Sequence, residues 1–192
     1  MTKLISLLFF SLIFNSISFS QIPSNSSIFA KLYSKDLTLS MAKIYLVENI
    51  ITLGDIEEKL VIDGLSAASS GELTALCYSG DSSKTKGLLL AFYGNYWNDQ
   101  GVTYQGYAFR NFKEKNGIEV LEKIVAISDR NQSFMGKSFD NNNIVFTYED
   151  IVFIMYINGP TKIRVLWDNF DAEWTIEEAK KTLKRLQEFI GN

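Results

Sequence analysis

The residues best equipped for chemistry stand together between Trp167 and Trp174, where Asp168, Asp171 and Glu173 lie between two indoles. Carboxylates beside exposed aromatic faces suit a sugar, whose CH groups stack on a ring while its hydroxyls bond to Asp and Asn. The same oxygens suit a hard cation such as calcium. The spacing argues against the cation: Phe170 stands where an EF-hand places a ligand, and no glycine follows. A structural reading competes with both. Trp167 continues the alternation of Ile163 and Val165 and so faces inward. Trp174 precedes a helix start as a staple residue, and acids ahead of a helix favour its positive end.

A second aromatic group, Tyr93, Tyr96, Trp97, Tyr104, Tyr107 and Phe109, falls on two adjacent strand-like runs. If Tyr93, Tyr104 and Tyr107 shared a wet face, they would form a platform for a glycan, a peptide or an apolar ligand. Alternation sends Tyr104 and Tyr107 to opposite faces, so the platform needs a bulge at Gly106. Cross-strand packing within a core accounts for the same residues. The candidate ligand-binding set is therefore Trp97, Tyr104, Trp167, Asp168, Asp171, Glu173 and Trp174.

Catalytic constellations are scarce. The chain has no histidine, which removes histidine-activated nucleophiles, histidine zinc sites and imidazole proton shuttles. Cys77 is the only cysteine, so no intramolecular disulfide forms, and its place between Leu76 and Tyr78 makes it a small buried residue. Ser40-Met41-Ala42-Lys43 and Ser83-Lys84-Thr85-Lys86 match the Ser-x-x-Lys pattern without its companion motifs. Lys84-Thr85-Lys86-Gly87 precedes a strand and lacks the leading glycine of a phosphate loop. Glycoside hydrolysis needs two carboxylates, for which Asp99 with Asp168, or Glu72 with Asp171, are the nominees. No catalytic residue, metal or cofactor is assigned.

Two helices and a largely antiparallel sheet must position these residues. Ile176, Ala179, Leu183, Leu186 and Ile190 recur at helical spacing over about 175–190, with Thr175 and Glu178 at capping-box spacing and Gly191 placed as a left-handed cap. Ile118, Leu121, Ile124 and Val125 predict a shorter helix over about 117–128. Strand patterns cover Leu73 to Tyr78, Leu88 to Tyr96, Val102 to Phe109, Ile144 to Tyr148, Val152 to Ile157 and Ile163 to Trp167. Leu88 to Phe92 is apolar on both faces, which belongs in mid-sheet. Gly94 and Gly106 suggest a bulge or bend, and Glu149-Asp150 a kink within one long strand. Over residues 36–65, Met41, Ile44, Tyr45 and Ile51 can be laid on a helix, yet Ile44-Tyr45-Leu46-Val47 and Leu60-Val61-Ile62 have the content of strands, which is the reading preferred. The order predicts an α+β fold with both helices on one face of the sheet.

The first twenty residues stand apart. Lys3 precedes a run from Leu4 to Phe14 that is apolar but for Ser6 and Ser11, and Ser18-Phe19-Ser20 supplies small residues before Gln21. This predicts a cleaved signal peptide over 1–20, a lead-in over 21–35, and a single domain over 36–192. The run falls short of the roughly 20 apolar residues of a membrane span, and no second one follows. Without the leader the charge is 18 basic against 22 acidic residues, or −4, because Lys3 is the leader's one charged residue. Nucleic acid is excluded as the expected partner, since it calls for a clustered basic face.

The leading expectation is an exported, periplasmic or secreted, non-enzymatic binding or interaction domain. Its ligand or partner, a glycan, a peptide or an envelope protein, would meet the aromatic sheet face and the Trp167 to Trp174 segment. The rivals are a carboxylate-dependent hydrolase of envelope or extracellular polysaccharide and a structural subunit of an envelope assembly.

Overall fold

Five consecutive apolar residues, Leu88 to Phe92, need cover on both sides of the strand that holds them. The computed structural model, which describes residues 38–51, 57–65, 72–97 and 100–191 (backbone alone at 65, 95–97 and 103–105), supplies it. The expected leader and lead-in lie outside the described residues. Strands β1 (Leu60–Leu65), β2 (Leu73–Gly80), β3 (Lys86–Trp97) and β4 (Thr103–Lys113) pair in chain order as an antiparallel sheet. On one side of this first sheet Leu76, Tyr78, Leu89 and Ala91 pack against Ala42, Leu46 and Ile51. On the other, Leu73, Ala75, Cys77, Leu88, Leu90 and Phe92 enter the main core.

The cover on the first side corrects the strand expectation for residues 36–65. Residues 38–50 are helical (α1), with a final turn widened so that the Ile51 N–H bonds to the Leu46 carbonyl at 2.8 Å. Among the described residues of this stretch, only β1 is a strand. The buried stripe of α1 is Thr38, Ala42 and Leu46, whereas Ile44 and Val47 are exposed, so the β-branched residues that read as strand are its outer face.

A second antiparallel sheet follows, built from β5 (Ile144–Tyr148), β6 (Ile151–Ile157), β7 (Thr161–Trp167) and β8 (Phe170–Thr175), again in chain order. The fold is α+β, with its strands divided between two sheets. Helix α2 (Glu114–Met135) links the sheets, and α3 (Ile176–Gly191) ends the chain. Both helices share the main core with Ile151, Phe153 and Met155 of β6, Ile163 and Val165 of β7, and Phe170, Ala172 and Trp174 of β8. Helix α2 extends beyond the expected 117–128 at both ends, because Met135 is still buried a further two turns along. Gly117 lets it sit close: a Cβ there would lie 2.9 Å from the Cβ of Leu88 and 3.4 Å from Cδ2 of Leu186.

The capping box of α3 forms as its spacing predicts. The Glu178 carboxylate accepts from the Thr175 N–H at 3.1 Å, and the Glu178 N–H donates to the Thr175 hydroxyl at 3.3 Å. Gly191 is the last residue of the helix and lacks a positive φ, so it is not the left-handed cap expected.

Three turn expectations change. Tyr148 pairs with Ile151, so Glu149-Asp150 is a two-residue hairpin turn rather than a kink, with Glu149 at φ +50°. Trp167 pairs with Phe170, so the expected acidic loop is a second tight hairpin, with Asp168 at φ +54°. Gly94 faces Gly106 in an unbroken register, with no bulge between β3 and β4.

Candidate binding face on the second sheet

Strand alternation divides the second sheet into a core face and an outer one. The outer positions form three rows across β5 to β8. Thr147, Val152, Leu166 and Asp171 align in the first, Val145, Ile154, Arg164 and Glu173 in the second, and Tyr156, Lys162 and Thr175 in the third. Val145, Val152, Ile154, Tyr156 and Leu166 belong to neither core, and Val145 is 62 % exposed. The β5–β6 half of the face is therefore apolar and the β7–β8 half charged.

The charges are matched on the spot. Arg164 grips Asp171 with Nε at 3.0 Å and Nη2 at 2.6 Å, and the ammonium of Lys162 donates to Glu173 at 2.9 Å. The Tyr156 hydroxyl donates to the other Glu173 oxygen at 3.1 Å. The Lys162 bond, with that of Tyr156, outweighs partial burial and holds the Glu173 carboxyl below its ordinary range. Burial, then the Glu173 carboxylate, raises the Tyr156 phenol.

At one end the face dips into a hollow of about 370 Å³ lined by Asp140, Asn143, Ile154, Tyr156, Asn158 and Arg164. Its rim is the polar segment between α2 and β5, which asparagine side chains knit together. Asn142 Nδ2 donates to the Phe134 carbonyl at 2.7 Å, Asn143 Nδ2 to the Asp140 carbonyl at 2.9 Å, and Asn158 Nδ2 to the Asp140 carboxylate at 3.0 Å. Beside Asp140 the ring of Phe139 is 65 % exposed.

The expected site residues separate in this structure. Asp171 and Glu173 lie on the outer face, while Trp174 points the other way and is wholly buried, out of a ligand's reach. Trp167 also faces inward: its ring lies 5.5 Å from that of Phe92, and its Nε1 donates to Asp150 at 2.9 Å. Asp168 is in the turn. The picture of carboxylates flanked by indoles fails because Trp174 and Glu173 are neighbours in a strand, and neighbours point to opposite faces. Trp97 and Tyr104 lie at the far end of the β3–β4 ribbon, where the register places Thr103 opposite Trp97 and Tyr96 opposite Tyr104. Tyr93, Tyr107, Phe109 and Tyr45 of α1 form an aromatic row with successive centroids 4.8, 6.4 and 4.8 Å apart, which is packing beneath a helix.

Of the nominated carboxylate pairs, Glu72 and Asp171 are engaged in structural bonds. Glu72 accepts from the Glu173 N–H at 3.3 Å, and Asp171 is held by Arg164. Asp99 lies outside the described residues. Among the described carboxylates, those whose ionisation is displaced, Glu58, Asp150 and Glu173, all move downward. A glycosidase acid needs the opposite displacement. No group of three or more metal-ligating side chains occurs among the described residues.

A larger hollow, about 630 Å³, adjoins the β2–β3 turn and takes in Lys84 and Lys86 of the Ser-x-x-Lys match with Lys59, Asp81 and Glu114. Asp81 pairs with Lys84 at 3.1 Å, and Glu58 is spent on the backbone N–H groups of Ser82 and Ser83. Lysines outnumber acids among the hollow's lining residues, three to two.

Sequence reasoning missed the clasp between the sheets. Arg110 of β4 reaches both Glu149 and, at 2.8 Å, Asp150, while Asn116 of α2 donates to Glu149 at 2.8 Å. The available signal was two acids in a turn that lacks glycine, which implies partners waiting for them. Compared with known proteins, the chain matches no family model, no curated sequence and no solved structure.

Proposed function

We propose that this chain is an exported, non-enzymatic binding or interaction domain whose contact surface is the outer face of the second sheet. The observation that carries this reading is the apolar half of that face, Val145, Val152, Ile154, Tyr156 and Leu166, set beside charges that are already paired. Paired charges cost less to desolvate than free ones, and half-exposed apolar side chains gain from being covered. The expected Trp167 to Trp174 contact is thereby reduced to Asp171 and Glu173.

The test is a titration of the isotope-labelled chain with a glycan and peptide panel, followed by NMR. Shifts clustered on β5 to β8 are expected. Saturable shifts confined to another surface, or turnover of any glycan at an enzyme's rate, overturn the reading. Export has its own assay: deleting residues 1–20 should leave the chain inside an expressing bacterium, and release unchanged by that deletion would remove the exported half of the proposal.

A further inference from the structure

We infer that the hollow beneath Asp140 holds one ring of an uncharged glycan, an inference that rests on the outer face being the contact surface. On the sheet side, Ile154 and Tyr156 offer a floor of carbon. Ile154 and Tyr156 are successive outward residues of β6, and Arg164 stands directly across from Ile154 in register. A floor of this kind accepts the C–H face of a sugar, which packs on aromatic and aliphatic carbon.

The rim supplies the polar half. Each asparagine amide commits one of its two N–H donors to Asp140, so the carbonyl oxygens and a second N–H of Asn143 and Asn158 face the hollow's polar side, along with the second oxygen of the Asp140 carboxylate. Arg164 commits Nε and Nη2 to Asp171 and keeps Nη1 as a donor. Acceptor oxygens and N–H donors standing side by side around a carbon floor complement a ring bearing several hydroxyls, each of which both donates and accepts. They do not complement an anion, because the arginine is neutralised by Asp171 and the remaining charge at the rim is negative. A hollow of about 370 Å³ is at the small end of ligand sites, fitting one ring of a longer chain.

An extended peptide added to the sheet is the competing occupant, and the adjacent edge resists it. Lys123 of α2 donates to the Thr147 carbonyl at 2.9 Å, which occupies an acceptor that an added strand would need. The rim is also held in place before any ligand arrives. Asp140 sits at φ +64° with its N–H on the Ile157 carbonyl at 3.1 Å, so the acceptors are ordered by the fold itself.

The experiment titrates the labelled full chain with cellotriose, chitotriose and mannotriose, and separately with a decapeptide mixture. At least one trisaccharide should shift the resonances of Asn143, Ile154, Tyr156, Asn158 and Arg164 saturably, with affinity on the order of millimolar for a single ring. Asn143→Ala and Asn158→Ala should each weaken it about fivefold, the usual effect of one lost hydrogen bond. Val61→Ser, exposed on β1 of the first sheet and away from the contact face, should leave it unchanged. The variants' own spectra report whether they fold. Failure of all three sugars to shift these residues, or undiminished binding by the Asn143→Ala/Asn158→Ala double variant, overturns the inference. Peptide shifts at Val145, Val152 and Leu166 without any sugar response would sink the sugar assignment and leave the face as the contact surface. Sugar shifts on a different surface would sink both.

Discussion

Glu149 shows how one residue can be placed against its own backbone preference. An L residue at φ +50° costs about 1 kcal/mol, which the bonds from Arg110 and Asn116 offset. Replacing Glu149 by alanine keeps the strain and discards the bonds, whereas glycine discards both. Glu149→Gly should therefore be more stable than Glu149→Ala by about 1 kcal/mol in urea unfolding, the reverse of the order expected in an ordinary strand. Trp174 is a different case. Its side chain is wholly buried, and its indole N–H has no acceptor among the described residues, so apolar contact alone holds it. Trp174→Ala should cost about 3–5 kcal/mol, and an unchanged unfolding midpoint would contradict its place in the core.

Asp150 and Glu173 give the fold an acid-side sensitivity. Burial by itself would raise the Asp150 carboxyl, but its bond from the Trp167 indole, its backbone bond and Arg110 together bring it below its ordinary value; Glu173 is lowered chiefly by Lys162. A carboxyl that ionises more readily when folded stabilises the fold fully above its unfolded pKa, and that contribution disappears as pH falls through the folded one. Stability should thus decline from about pH 5 downward. In Glu173→Gln, which also loses about 0.5–1 kcal/mol at neutral pH, the decline should be shallower.

At the scale of elements, helix α2 depends on one missing methyl group. Gly117→Ala would gain helix propensity of about 1 kcal/mol, yet its new carbon would meet Leu88 at 2.9 Å. Overpacking of about 1–3 kcal/mol should win, giving net destabilisation by chemical denaturation. The sequence was legible wherever period and environment agreed. The apolar run of β3, the strands other than β8 and the box that opens α3 follow from alternation, helical spacing and capping chemistry; β8 was hidden in what read as an acidic loop. The first helix was not legible, because its exposed face carries Ile44 and Val47 while its buried stripe includes small Ala42 and polar Thr38. The tight turns at Glu149-Asp150 and Asp168-Asn169 were hidden for a related reason. Both lack glycine, and for the first the partner is distant in the chain: Arg110 lies 39 residues before Glu149. The outer face went unseen because partition into two sheets, and thus which face stays bare, is decided by long-range packing.

For the whole molecule, Cys77 is a reporter of cooperativity. It lies in the middle of β2, fully buried, and burial together with the nearby Asp63 carboxylate pushes its thiol up to about 12 against a smaller opposing effect of Arg185. A thiol so placed is unreactive until the fold opens. Labelling by a disulfide reagent at neutral pH should be limited by unfolding and should accelerate in Trp174→Ala; rapid labelling of the native chain would mean that β2 opens locally.

The chain-order pairing of both sheets also bears on how the protein is made. The first sheet is complete at Lys113, but the partners that cover Leu73, Leu88, Leu90 and Phe92 lie in α2 and in everything after Ile144. A polypeptide emerging amino end first would hold a finished, oily slab with no lid until its last third arrived. Chains cut short near that point should clump where the intact one does not, and their manufacture would lean on a chaperone during that interval.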